Sequence, residues 1–133
     1  MRLKNPYKKG RILEKYFAQE LQVAFPSAHT EFKPRVISQS KDFWGLFDGL
    51  TFVKTKKFFI FWQSKSNKLP PSKRNLFWKS AKAFQAPNIR IFLLEKHNDY
   101  YLYSESPDCI YESCDPPATV LKKLLTKKHT PSL

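Results

Sequence analysis

Acidic residues are scarce in this chain: 11 Asp and Glu stand against 24 Lys and Arg in 133 residues, a formal net charge of +13. The natural partner of such a surface is a polyanion that releases counterions when bound, with DNA and RNA at the head of the class. An anionic membrane surface would feel the same charge, but no apolar run approaches the roughly 20 residues needed to span a bilayer. Met1 to Lys9 is charged and has no apolar stretch behind it, so no secretion signal is visible and the expected location is intracellular. Cysteine is also sparse. Cys109 and Cys114 are separated by Ile-Tyr-Glu-Ser, and the scattered His29, His97 and His129 do not supply the second ligand pair of a structural zinc site. Two ordinary thiols are expected there, with a local disulfide as the alternative. Internal repeats and low-complexity segments are absent, and the length suits one domain over 1–133 with a real core and a frayed tail at 127–133.

What is present alternates between helix and strand patterns. Leu13, Phe17, Leu21 and Ala24 recur at three- and four-residue steps, predicting a helix over Gly10 to Phe25 that Pro26 stops. Thr30 to Ser38 is β-like, with Pro34 demoting it to an edge or interrupted strand, and Gln39 to Phe43 reads as a loop. Trp44, Leu46, Asp48, Leu50 and Phe52 alternate on one face, predicting a strand over Trp44 to Val53. After the polar turn Lys54 to Lys57, the run Phe58 to Lys65 is apolar on both faces, as expected of a central strand. Ser72 is the expected cap of a helix over Lys73 to Gln85, with Leu76, Phe77, Ala81 and Phe84 inward. Ile89 to Glu95 and Tyr100 to Ser104 predict a hairpin turning at Lys96 to Asp99. Ser106 to Pro117 reads as loop, and Val120, Leu121, Leu124 and Leu125 mark a last short helix. The order implies an α/β domain with a central mixed sheet flanked by helices.

Asp48 and Gln63 are polar groups on otherwise apolar strand faces, and Lys65 shares a face with Gln63. Antiparallel pairing across the Lys54 to Lys57 turn would bring the three together, since paired side chains lie about 5 Å apart at Cβ. A carboxylate, an amide oxygen and a backbone carbonyl make a hard-oxygen set suited to Mg²⁺, with Mn²⁺ as substitute. The lysine would orient or help deprotonate an attacking water and offset charge developing on phosphorus.

Gly10 and Glu14, then Leu-Phe-Asp-Gly at 46 to 49, then Phe-Trp-Gln-Ser-Lys at 61 to 65, together resemble the PD-(D/E)XK nuclease superfamily. Within it the look is closest to archaeal-type Holliday junction resolvases, which open with a basic Gly and a helix-borne Glu. Those enzymes then place an Asp on one strand and an acidic-x-Lys motif at the end of the next. The resemblance covers roughly Lys8 to Leu94 and implies a restriction-endonuclease-like fold, DNA cleavage including branched DNA, and a homodimer. Carried over residue by residue, it makes Glu14, Asp48 and Gln63 metal ligands and Lys65 the helper of the nucleophile. Gln63 stands where the motif is usually acidic, which removes one negative charge from the expected metal shell. A chain that kept this fold for nucleic-acid binding alone, without catalysis, is the alternative.

Basic residues next to the motif elements, Lys8, Lys9, Arg11, Lys68, Lys73 and Arg74, are expected phosphate contacts, together with the hydroxyls of Ser38 and Ser40. Aromatic residues make up 16% of the chain, and their position on the strand and helix stripes assigns most of them to the core rather than to stacking on bases.

Overall fold

The computed structural model describes residues 6–32 and 43–126, the side chains of 6–10 excepted. Helix α1 (Pro6–Ala24) starts one turn earlier than the apolar stripe suggests, with a proline at its first position, where a missing N–H costs nothing. Leu13, Phe17, Leu21 and Ala24 are its buried residues, as the spacing predicts. Six strands follow in a sheet whose spatial order is the sequence order: β1 (Ala28–Phe32), β2 (Gly49–Val53), β3 (Phe58–Lys65), β4 (Ile89–His97), β5 (Tyr100–Ser106) and β6 (Cys109–Ser113). All pairs are antiparallel except β3 with β4. That parallel step needs a crossover, which α2 (Pro71–Ala81) and a 3₁₀ turn (Lys82–Phe84) provide. Helix α3 (Pro117–Leu125) closes the order, giving an α/β domain with a mixed sheet.

Alternation along β3 divides the core in two. Ile60 and Trp62 face α1 and α3 in a cluster with Phe17, Leu21, Phe92, Leu94, Val120 and Leu121. Phe61 faces α2 in a smaller cluster with Phe47, Phe77, Trp78, Ala81, Ile91 and Leu93. The Trp62 ring meets Phe17 edge to face at 4.7 Å, and its indole N–H donates 2.9 Å to the hydroxyl of Thr51. The ring lies flat over Gly49, where a Cβ would fall 2.6 Å from Cε2 and closer still to Cζ2. Only glycine permits that approach.

Several expectations are corrected. Trp44 to Leu46 is a turn rather than the start of a strand, closed by mutual hydrogen bonds between Phe43 and Phe47 at 2.7 and 3.1 Å. Trp44 and Gly45 both have positive φ, 55° and 68°, which no strand accommodates. Ser72 lies inside α2, whose cap position is Pro70 without a side-chain hydrogen bond. The inward stripe of α2 is Arg74, Phe77, Trp78 and Ala81, whereas Leu76 is 63% exposed. Strand β6 occupies part of the expected loop, and Cys109 and Cys114 are exposed free thiols. Beyond Phe32 the predicted strand to Ser38, with most of the following loop, lies outside the described residues, as does the expected tail from 127. Among the described residues no helix is long and apolar enough to cross a membrane.

Candidate functional site

The β2–β3 ladder ends at Gly49 opposite Trp62, and immediately past it the pairing becomes irregular. The Asp48 N–H donates 2.9 Å to the Trp62 carbonyl. Its Oδ2 accepts the Ser64 N–H at 2.7 Å and the Ser64 hydroxyl at 3.3 Å. A side-chain carboxylate thus takes a β3 donor that the end of β2 no longer serves. Such a bond shortens because the acceptor is charged, and it orients the carboxylate at the strand end.

Gln63 is buried, 7% exposed, and its Nε2 donates 2.8 Å to the carbonyl of Leu46 in the preceding turn. A carbonyl can only accept, so the amide nitrogen must sit there and Oε1 points the other way. Among the described residues nothing donates to that oxygen. Gln63 therefore has two tasks the sequence did not separate: pinning the Trp44–Leu46 turn and presenting a neutral oxygen. Lys65, half-buried, stands one pleat further along the same face.

Asp48, Gln63 and Lys65 are therefore brought to the ends of adjacent strands. Glu14 is placed differently. It follows Leu13 on α1, which covers the face of Trp62 and Ser64, while Gln63 and Lys65 alternate to the α2 face. Glu14 could share an ion with them only beyond the strand ends.

A second carboxylate, Glu95, escaped sequence reasoning. It is fully buried and pairs in parallel register with Lys65. Its Oε1 accepts from the Leu69 N–H and from Arg74 Nη2, both at 2.7 Å, and its Oε2 accepts from Arg74 Nε at 2.7 Å. The hydrogen bond to Glu95 outweighs burial and raises the Arg74 pKa above its usual value. Arg74, expected to touch phosphate, is thus buried in a bidentate pair that ties α2 to the end of β4, and it donates 3.2 Å to the Leu69 carbonyl as well. The sequence signal for Glu95 was the same as for Asp48, a lone acid on an apolar strand.

Lys68, Lys73 and Arg11 are exposed, as phosphate contacts should be. Lys68 lines a cavity of about 530 Å³ with Ser66, Asn67, Lys96, His97 and Asn98, beyond the carboxyl ends of the parallel strands β3 and β4. Open α/β sheets commonly take ligands at such strand ends. The side chains of Lys8 and Lys9, and Ser38 and Ser40 altogether, lie outside the described residues.

No three His, Cys, Asp or Glu side chains converge among the described residues. Asp48 and Gln63 offer oxygen donors only, which suits Mg²⁺ or Mn²⁺ retaining most of its waters. No family model, no curated protein and no solved structure matches the chain.

Proposed function

We propose that the chain is a metal-dependent endonuclease acting on DNA, including branched DNA. The observation that carries this reading is the placement of Asp48, Gln63 and Lys65 at adjoining ends of two paired strands in a chain of net charge +13. Exposed lysines around the carboxyl ends of β3 and β4 draw the phosphodiester backbone to that edge. Asp48 and Gln63 would hold Mg²⁺ or Mn²⁺, with Glu14 contributing from past the strand ends. When bound, the ion would supply polarisation of a phosphoryl oxygen and activation of water. Lys65 orients the attacking water and offsets charge growing on the phosphate oxygens. Cutting both strands of a junction symmetrically would call for a twofold homodimer.

A silent binding module is the second reading, and a specific observation favours it. Asp48 serves as a cap for β3, Gln63 as an anchor for a turn and Glu95 as the partner of Arg74, so each polar group also has a folding role. Incubation with linear, flapped and four-way DNAs and Mg²⁺ or Mn²⁺ separates the two. The nuclease cuts at least one substrate, stops with chelator, and loses cleavage but not gel-shift binding on Asp48→Ala. An Asp48→Ala protein that cuts at the normal rate would refute the site. Binding of every substrate without cutting assigns the silent module.

A further inference from the structure

Trp44 is 62% exposed, whereas Trp62 and Trp78 are 0% and 3% exposed. Its φ of 55° is a costly conformation for a bulky residue, and the turn that imposes it is pinned by the Phe43–Phe47 bonds and by Gln63 on Leu46. The fold thus holds a large apolar ring out in water. The indole packs against Phe61 at 5.8 Å and Phe84 at 5.1 Å, both tilted by less than 40°, and against Phe43 and Phe47 at 6.0 and 6.3 Å, while the rest of it stays exposed. Along the same sheet face the aromatic row continues through Phe61 to Phe59 at 6.3 Å and to Phe52 at 4.9 Å from Phe59. Phe59 and Phe52 are 38% and 36% exposed. The row ends at the exposed lysines 54, 56 and 57. Its other end is Gln63, roughly 7 Å, one pleat repeat, beyond Phe61.

From this geometry we infer that Trp44 is a stacking platform for an unpaired nucleobase, with Phe59 and Phe52 continuing the path for a single strand. A rigid, half-backed indole presents a flat π-face to any base, and bracketing lysines hold the backbone. A base inside a duplex cannot reach it, because both of its faces are already stacked. Single strands, flaps and the open centre of a branched DNA are then favoured over plain duplex. A second copy of this chain is a poorer occupant of the row, since two copies that each carry a net charge of +13 repel one another.

The inference rests on the nucleic-acid-binding part of the proposed function and not on hydrolysis, so the test is run in chelator. Trp44 is the only exposed tryptophan of the three, so a quench of steady-state emission on binding that disappears in Trp44→Ala is assigned to it. An unstructured oligothymidine should quench that emission and a blunt duplex should not. Trp44→Ala should weaken oligothymidine binding roughly tenfold and leave duplex binding unchanged, and Trp44→Phe should recover most of the loss. Duplex affinity of the same sample serves as the control for folding. Oligothymidine binding without quenching, or equal loss on both DNAs, overturns the platform while leaving the basic surface intact. Absence of binding to either DNA overturns both the platform and the nucleic-acid reading. A dimer in sedimentation without DNA that Trp44→Ala converts to monomer would assign the row to self-association and overturn it too.

Discussion

The two faces of the sheet are covered unequally. On one, α1 and α3 together lie over Ile60, Trp62, Phe92 and Leu94 and close an apolar cluster running from Leu13 to Leu125. On the other, α2 covers Phe61, Ile91 and Leu93, and the remainder of the face carries the exposed Phe52 and Phe59, the buried amide of Gln63 and the stem of Lys65. The first face spends its residues on folding. The second joins a smaller apolar cluster to a few directional polar bonds, which leaves room for chemistry but makes each bond matter.

The largest test of that contrast is Glu95→Ala. It strands the Arg74 guanidinium in a buried place and should cost about 3–5 kcal/mol in urea unfolding, where an apolar pair such as Arg74→Met with Glu95→Leu should recover most of it. A single variant that unfolds at the native midpoint would show that α2 is held by packing alone. On the closed face, Gly49→Ala pushes a methyl into the Trp62 ring and should cost about 1–3 kcal/mol by overpacking. Near-ultraviolet circular dichroism of the indole should change with it.

Gln63→Glu sharpens the comparison, since it pits the two tasks of one residue against each other. The carboxylate loses the bond to the Leu46 carbonyl and leaves that acceptor unserved, so the metal-free protein should lose about 1–2 kcal/mol. The added charge should tighten Mg²⁺ binding, and saturating Mg²⁺ should restore the melting temperature while cleavage is kept or raised. Calorimetric titration alongside thermal melts reads both effects. The smallest effect belongs to Lys68→Ala, which should weaken DNA binding a few-fold for every sequence and lower the slope of log K against log salt by about 1. An unchanged slope would remove Lys68 from the phosphate path.

The parts of this architecture legible in the sequence are those set by local periodicity. Strand β3 runs over Phe58–Lys65 as its apolar run predicts, and the stripes of α1 and α3 are buried as spaced. Trp44 to Leu46 misled because alternating polarity over a few residues does not distinguish a strand from a turn; Gly45 was the signal for the turn. The β6 segment, Cys-Ile-Tyr-Glu-Ser, is short and mixed because an edge strand needs little apolar surface, so its pattern is weak. Arg74 looked like surface charge since nothing local announces Glu95, 21 positions away. Gln63 and Lys65 were placed on the right strand, whereas Asp48 lies in a bend just before β2 rather than within it, and the Leu46–Gln63 bond depends on a turn geometry that composition does not encode.

The single parallel pairing between β3 and β4 also has a kinetic side. Strands β1 to β3 and β4 to β6 are two meanders of antiparallel neighbours. Only the seam between them requires closing the long connection through α2. Local ladders form before distant ones because loop-closure entropy is met first where chain separation is short. The seam is therefore the slow register of the sheet, and Lys65 and Glu95 face each other on it, with Arg74 of α2 bound to Glu95. Pulse-labelled amide exchange during refolding should protect Lys65, whose N–H alternates to the β4 side, after Ser64, whose N–H is held by Asp48 within the β2–β3 half. The carboxyl ends where the chemistry is proposed would then be assembled last.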